Sequence, residues 1–119
     1  MANEFRNRTL TGVGTSATTL YSTPDGKTSI VLELDLANTT SSVVEATVEL
    51  LDYSDHPSTG WRYIVKNAPV PAGGTLQVVA GQKIVLEERS GGTGDAIRIT
   101  SSAASSLDVI SAILEDVNP

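Results

Sequence analysis

The chain has one histidine, His56, and no cysteine, and that limits the chemistry it could perform. A serine nucleophile needs an imidazole to take its proton, so any such relay would run through His56 with Asp52 or Asp55 beside it. These residues fall in a stretch interrupted by Pro57 and Gly60, and no Gly-x-Ser-x-Gly elbow occurs. The pattern reads as a surface loop, and no catalytic residue is assigned. Asp52, Asp55 and His56, or Asp95 alone, could be drawn as metal ligands, but neither set has calcium-loop or zinc spacing. Ser90-Gly91-Gly92-Thr93-Gly94-Asp95 lacks the Gly-Lys-Ser/Thr ending of a phosphate loop and opens onto a strand pattern. No metal and no cofactor is expected, and the chain is read as a non-enzyme.

Carboxylates are the remaining candidates. Glu33 and Asp35 alternate along one segment, and Glu45 and Glu49 along the next. A glycosidase places an acid and a base across a cleft lined with aromatic platforms. One Trp, three Tyr and one Phe are all this chain has to build one. A solvated acidic face fits better. Arg62, Lys66 and Arg98 lie on other segments and could neutralise that face, within the domain or from a neighbouring subunit, making it an assembly contact.

The elements that carry these residues are strands. From Thr28 to Tyr53, Ile30, Leu32, Leu34 and Leu36 alternate with Glu33 and Asp35. Val44, Ala46, Val48 and Leu50 then alternate with Glu45, Thr47 and Glu49. Period-two alternation marks half-buried strands, and Asn38-Thr39-Thr40-Ser41-Ser42 between them is turn chemistry. Pairing as a hairpin with residue numbers summing to 80 would set Leu36 against Val44 and Asp35 against Glu45. Further strand patterns cover 16–22, 61–66, 76–80, 84–86, 97–99 and 108–117, the last with both faces fairly apolar. Ser101 to Ser106, small and polar, reads as a turn; the best helix candidate, Ser101 to Leu107, is short and serine-rich and could hold a turn or two at most. Eight short strands with frequent turns predict an all-β antiparallel sandwich with Greek-key or jelly-roll connections. It would span 10–119 as a single domain. Residues 1–9 lack periodicity and read as a flexible N-terminal arm bearing Phe5, Arg6 and Arg8, and deleting residues 1–8 is expected to leave the domain folded.

The formal net charge is −6, with bases scattered rather than striped, which argues against a nucleic-acid partner. No window approaches the roughly 18 apolar residues of a membrane span, so no membrane partner is expected. The first residues carry no apolar run of a secretory signal, and an intracellular start is the expectation.

Several runs together resemble a known group: Leu10-Thr11-Gly12-Val13-Gly14-Thr15, the Tyr21-to-Lys27 turn into Ile30-Val31-Leu32, Val65-Lys66-Asn67-Ala68-Pro69-Val70-Pro71-Ala72-Gly73-Gly74, Lys83-Ile84-Val85-Leu86-Glu87, and Ile99 through Val109. They resemble small all-β virion proteins of tailed bacteriophages, in order along nearly the whole chain. The resemblance implies a head-decoration or cement protein located in the virion. It would bind the major capsid protein and bridge neighbouring shell subunits as a trimer or dimer. It carries no active-site residues. The candidate capsid or subunit contacts are Phe5, Arg6, Arg8, Glu33, Asp35, Glu45, Glu49, Arg62, Lys66 and Arg98. A tail, neck or fibre component is the alternative within the same class. A carbohydrate-binding sandwich for host attachment is the alternative outside it, with Tyr53, Trp61 and Tyr63 as its glycan contacts.

Overall fold

The computed structural model describes residues 3–24, 26–53, 60–88 and 94–115. Eight strands occur among them: β1 (Glu4–Val13), β2 (Thr18–Ser22), β3 (Thr28–Asn38), β4 (Val44–Leu51), β5 (Trp61–Val70), β6 (Thr75–Glu87), β7 (Ala96–Ser101) and β8 (Leu107–Glu115). They form two four-stranded antiparallel sheets, ordered β1-β8-β3-β6 and β2-β7-β4-β5. First pairs with last, second with seventh, third with sixth and fourth with fifth. The fold is therefore one long hairpin doubled over on itself, an eight-stranded jelly roll. The predicted all-β sandwich is the observed architecture. The 101–107 segment forms a turn between strands rather than a helix.

The expected hairpin between the third and fourth strands is not formed. β3 belongs to one sheet and β4 to the other, so 39–43 crosses between layers and Asp35 never meets Glu45. Turn chemistry in the sequence specifies a reversal but not whether the chain returns beside itself or passes to a second sheet. Asn38 fixes this crossing. Its buried amide nitrogen donates to the carbonyls of Ser42 (2.7 Å) and Val70 (3.0 Å), and its Oδ1 accepts from the Thr40 N–H (2.9 Å) and hydroxyl (2.8 Å).

Two further boundaries differ from the expectation. Residues 4–9, read as part of an arm, belong to β1 and pair with β8, Glu4 opposite Glu115 and Leu10 opposite Val109. This part of the edge strand is exposed on both faces, so no alternation announces it. The segments 76–80 and 84–86, read as two strands, are one strand, β6. Gly81, with φ 110°, sits in a bulge there rather than a turn.

That bulge lies beside one in β3, and together they reset the apolar ladder. Leu32 is the unpaired residue between the Val31–Ile113 and Glu33–Ala112 pairs with β8. On the other side it faces Gly81, Gln82 and Lys83. The core side of β3 is consequently Ser29, Val31, Leu34 and Leu36, and Ile30 turns outward. Ile30, Leu32, Leu34 and Leu36 therefore do not share the single face their spacing suggests. The inner layer packs Val31, Leu34, Leu36, Val79, Leu86, Val109 and Ile113 of one sheet on Leu20, Val44, Val48, Val70, Ile97 and Ile99 of the other. Full burial of each such side chain is worth about 1.5–3 kcal/mol.

β5 is an edge strand that contains Pro69 and a bulge at Asn67, whose φ is 51°. Proline donates nothing to a ladder and is tolerated at edges, and asparagine accepts the left-handed region more readily than most residues.

Candidate docking face

Antiparallel register aligns side chains into rows across a sheet. On the outer face of the β1-β8-β3-β6 sheet, Phe5 pairs with Leu114, Leu114 with Ile30 and Ile30 with Val85. One residue from each of the four strands thus forms a continuous apolar row. At the usual strand spacing it is about 14 Å long. Phe5 is 79% exposed and Val85 54%, while Leu114 and Ile30 are half-buried. The next row is Asn7, Ala112, Glu33 and Ala80, and the one after it Thr9, Ile110, Asp35 and Gln77, with Ile110 56% exposed.

Glu33 and Asp35 sit two residues apart on this face, and their electrostatics are unusual. A hydrogen bond to Asp35, then its negative charge, then partial desolvation raise the Glu33 carboxyl above the ordinary glutamate range. Asp35 Oδ1 is shielded from solvent and has no hydrogen-bond partner. Among the described residues neither carboxylate forms a salt bridge.

The outer face of the other sheet has a different character. Glu49 and Arg98 are cross-strand neighbours, and Arg98 binds Glu49 bidentately, Nε to Oε1 at 2.9 Å and Nη2 to Oε2 at 3.2 Å. The same guanidinium lies 3.7 Å from the Trp61 ring centroid. Tyr63 is 58% exposed, with Lys66 Nζ 5.1 Å from its ring centroid. Arg98 thus neutralises one expected carboxylate, Glu49, but Glu33 and Asp35 lie on the opposite sheet from Arg62, Lys66 and Arg98. The expected single acidic face is split: Glu33 and Asp35 belong to one sheet, Glu45 and Glu49 to the other. For the glycan alternative, Trp61 and Tyr63 do share a strand face and Tyr53, beyond the end of β4, is half-buried, but one side of the Trp61 ring is taken by Arg98.

A third cluster closes one end of the sandwich. The Tyr21 hydroxyl donates to Glu115 Oε2 at 2.5 Å and lies 2.8 Å from Ser29 Oγ, and Arg6 Nε donates to Glu115 Oε1 at 3.2 Å. Arg6 also reaches Glu4 Oε1 at 2.7 Å, and Arg8 lies over the Tyr21 ring at 5.6 Å. Both partners raise the Arg6 pKa further, Glu115 most. Arg6 and Arg8 thus tie β1 to the body of the domain. Phe5 alone of the expected arm contacts joins the apolar row.

Of the loop residues singled out for chemistry, Asp52 donates its backbone N–H to the Gly60 carbonyl at 2.8 Å, and Asp95 has a structural part. Asp95 Oδ2 accepts the Glu87 N–H at 3.0 Å, and its carbonyl accepts the Thr23 N–H and hydroxyl, a structural clasp. Gly94 is required by close approach: a Cβ there would stand 2.5 Å from the Thr23 carbonyl oxygen. Asp55 and His56, with residues 90–93, lie outside the described residues.

Sequence reasoning missed Leu114, Ile110, Val85 and the outward Ile30. One signal was available, the apolar second face of the last strand; the bulge that turns Ile30 outward has none.

Neither a protein-family model nor a curated protein matches the sequence. Similar folds occur among solved structures. One is a chain of infectious bursal disease virus, Gx strain, at TM-score 0.50 and 17% identity, covering 95% of this chain and 32% of that one. A VP2 protein of the same virus, in T=1 particles, gives TM-score 0.36 and 13% identity over 93% of this chain and 39% of that one. A chain of the disulfide-linked pili of Bacillus endospore appendages gives TM-score 0.38 and 14% identity over 98% and 90%. At such identities the likeness is one of fold. This chain spans about a third of the viral chain.

Proposed function

We propose that this protein is a structural component of a virus particle, a decoration or cement protein that seats on the outer surface of the major capsid shell and bridges neighbouring subunits. The observation that carries the reading is the apolar row Phe5–Leu114–Ile30–Val85, which crosses a whole sheet face and is open to solvent at both ends. Contiguous exposed apolar surface of this kind marks protein–protein contact. A stiff sandwich loses little conformational entropy on docking, and many weak copies acting together reinforce a shell. The phage resemblance of the sequence and the fold shared with a viral chain support the same reading. In it the protein acts by contact, transforms no substrate, and works in the virion, alone or as a homo-oligomer.

Mass spectrometry of purified particles tests this, scored as copies per major capsid subunit. Hundreds of copies per particle, lost with the outward substitution Val85→Glu while the variant still folds, are the expected result. A handful of copies would move the protein to the tail or neck, and complete absence would overturn the particle reading.

A further inference from the structure

We propose that the outer face of the β1-β8-β3-β6 sheet recognises a protein surface presenting an arginine or lysine among apolar side chains, the cation resting on Glu33 and Asp35. The inference rests on the contact role proposed above for this face, but not on location in a particle.

Three features of the face specify that partner. The apolar row supplies area but little selectivity. Directly beside it, Glu33 is flanked by Ala112 and Ala80. Their short side chains stand lower above the sheet than the apolar row beside them, so the methylene stem of a long basic side chain can lie there, packing on apolar surface while its charged head reaches a polar group. Two carboxylates occupy neighbouring positions of this face, Glu33 in that row and Asp35 in the next, and the nearness of Asp35 raises the Glu33 carboxyl above the ordinary glutamate range. A guanidinium or ammonium arriving from outside converts this repulsion into charge-assisted hydrogen bonds.

The chain does not provide that cation itself. Lys83, in the neighbouring bulge of β6, makes no ion pair with either carboxylate among the described residues. Arg6 and Arg98 are engaged by Glu115 and Glu49. A purely apolar partner would strip water from both carboxylates without replacing it, a penalty that opposes binding. A second copy of this face would bring two more carboxylates against the one lysine the face carries, Lys83, so like charge would still dominate the contact. Charge complementarity therefore selects a basic partner.

The test uses 15N-labelled protein and two synthetic hexapeptides. One alternates valine and arginine; in the other citrulline, neutral and nearly isosteric, replaces each arginine. The arginine peptide is expected to shift the amides of Ile30, Glu33, Asp35, Ala112 and Leu114 and to bind at least about tenfold tighter, the scale of one charged pair. In the double variant Glu33→Gln/Asp35→Asn, with an unchanged circular-dichroism spectrum, that preference is expected to vanish. Equal binding of the two peptides, shifts confined to the other sheet, or a preference that survives in the double variant would overturn the proposal. So would concentration-dependent shifts of the same amides without peptide, since they would make the occupant a second copy. Particles that carry the double variant at wild-type copy number would sink this inference and leave the particle reading intact. Peptide recognition by a protein absent from particles would do the reverse.

Discussion

Arg6 and Glu115 stand 109 positions apart in sequence, yet the guanidinium Nε of the first donates to the carboxylate of the second at 3.2 Å. The contact joins the first strand to the end of the last and makes residues 4–8 part of the sheet. Removing residues 1–8 is therefore expected to lower the melting temperature by uncovering one side of β8 and stripping Glu115 of its cation. Arg6→Ala should reproduce a smaller part of the drop. Thermal denaturation followed by circular dichroism measures both, and a truncated chain melting with the intact one would contradict the ladder.

The bulge at Leu32 makes a sharp comparison between neighbours of identical type. Leu34 is fully buried, whereas Leu32 is only half-buried. Leu34→Ala should cost about 2–5 kcal/mol, the range for a core leucine. Leu32→Ala should cost well under half as much in the same urea titration. Equal costs would restore the uninterrupted alternation that the sequence suggests.

Asn38 satisfies four hydrogen bonds from one buried amide. Asn38→Ala leaves the Val70 carbonyl of the other sheet without that donor, and buried groups deprived of a partner cost about 1–3 kcal/mol. The expected signature is a loss of equilibrium stability in that range. A change within about 0.5 kcal/mol would show that the crossing is held by packing alone.

Tyr21 gives the domain an alkaline limit. Burial, followed by its hydrogen bond to Glu115, raises the pKa of its hydroxyl well above the ordinary value. Because the folded state holds this proton more tightly than the unfolded chain, the group's contribution is complete below a pH of about 10 and declines above it. The decline cannot exceed about 1.4 kcal/mol per pH unit. Stability measured from pH 8 to 11 should fall less steeply in Tyr21→Phe than in the unaltered chain; parallel profiles would exclude the linkage.

The strand count was legible in the sequence partly through compensation, since β1 went unseen while β6 was divided in two. Alternation reports burial on one face of a strand. It is silent for 4–9, where both faces meet solvent, and it misleads at Leu32, where a bulge exchanges the faces. Gly81 looks the same in sequence whether it turns the chain or bulges it. The outer face was harder still. Phe5, Ile30, Val85 and Leu114 become neighbours only through pairings between strands remote in sequence. Arg98 with Glu49 was within reach because opposite charges on separate strands invite pairing, but the exclusion of Glu33 and Asp35 from that network depends on which sheet each strand joins.

Pro69 and the kinked Asn67 lie on the free margin of β5, and Glu4, Arg6 and Arg8 line that of β1. Margins built this way offer a poor template for a further strand. In the contact role proposed above, molecules crowded side by side on a common support would remain separate at these margins rather than zip into fibres, leaving the broad face free to adhere.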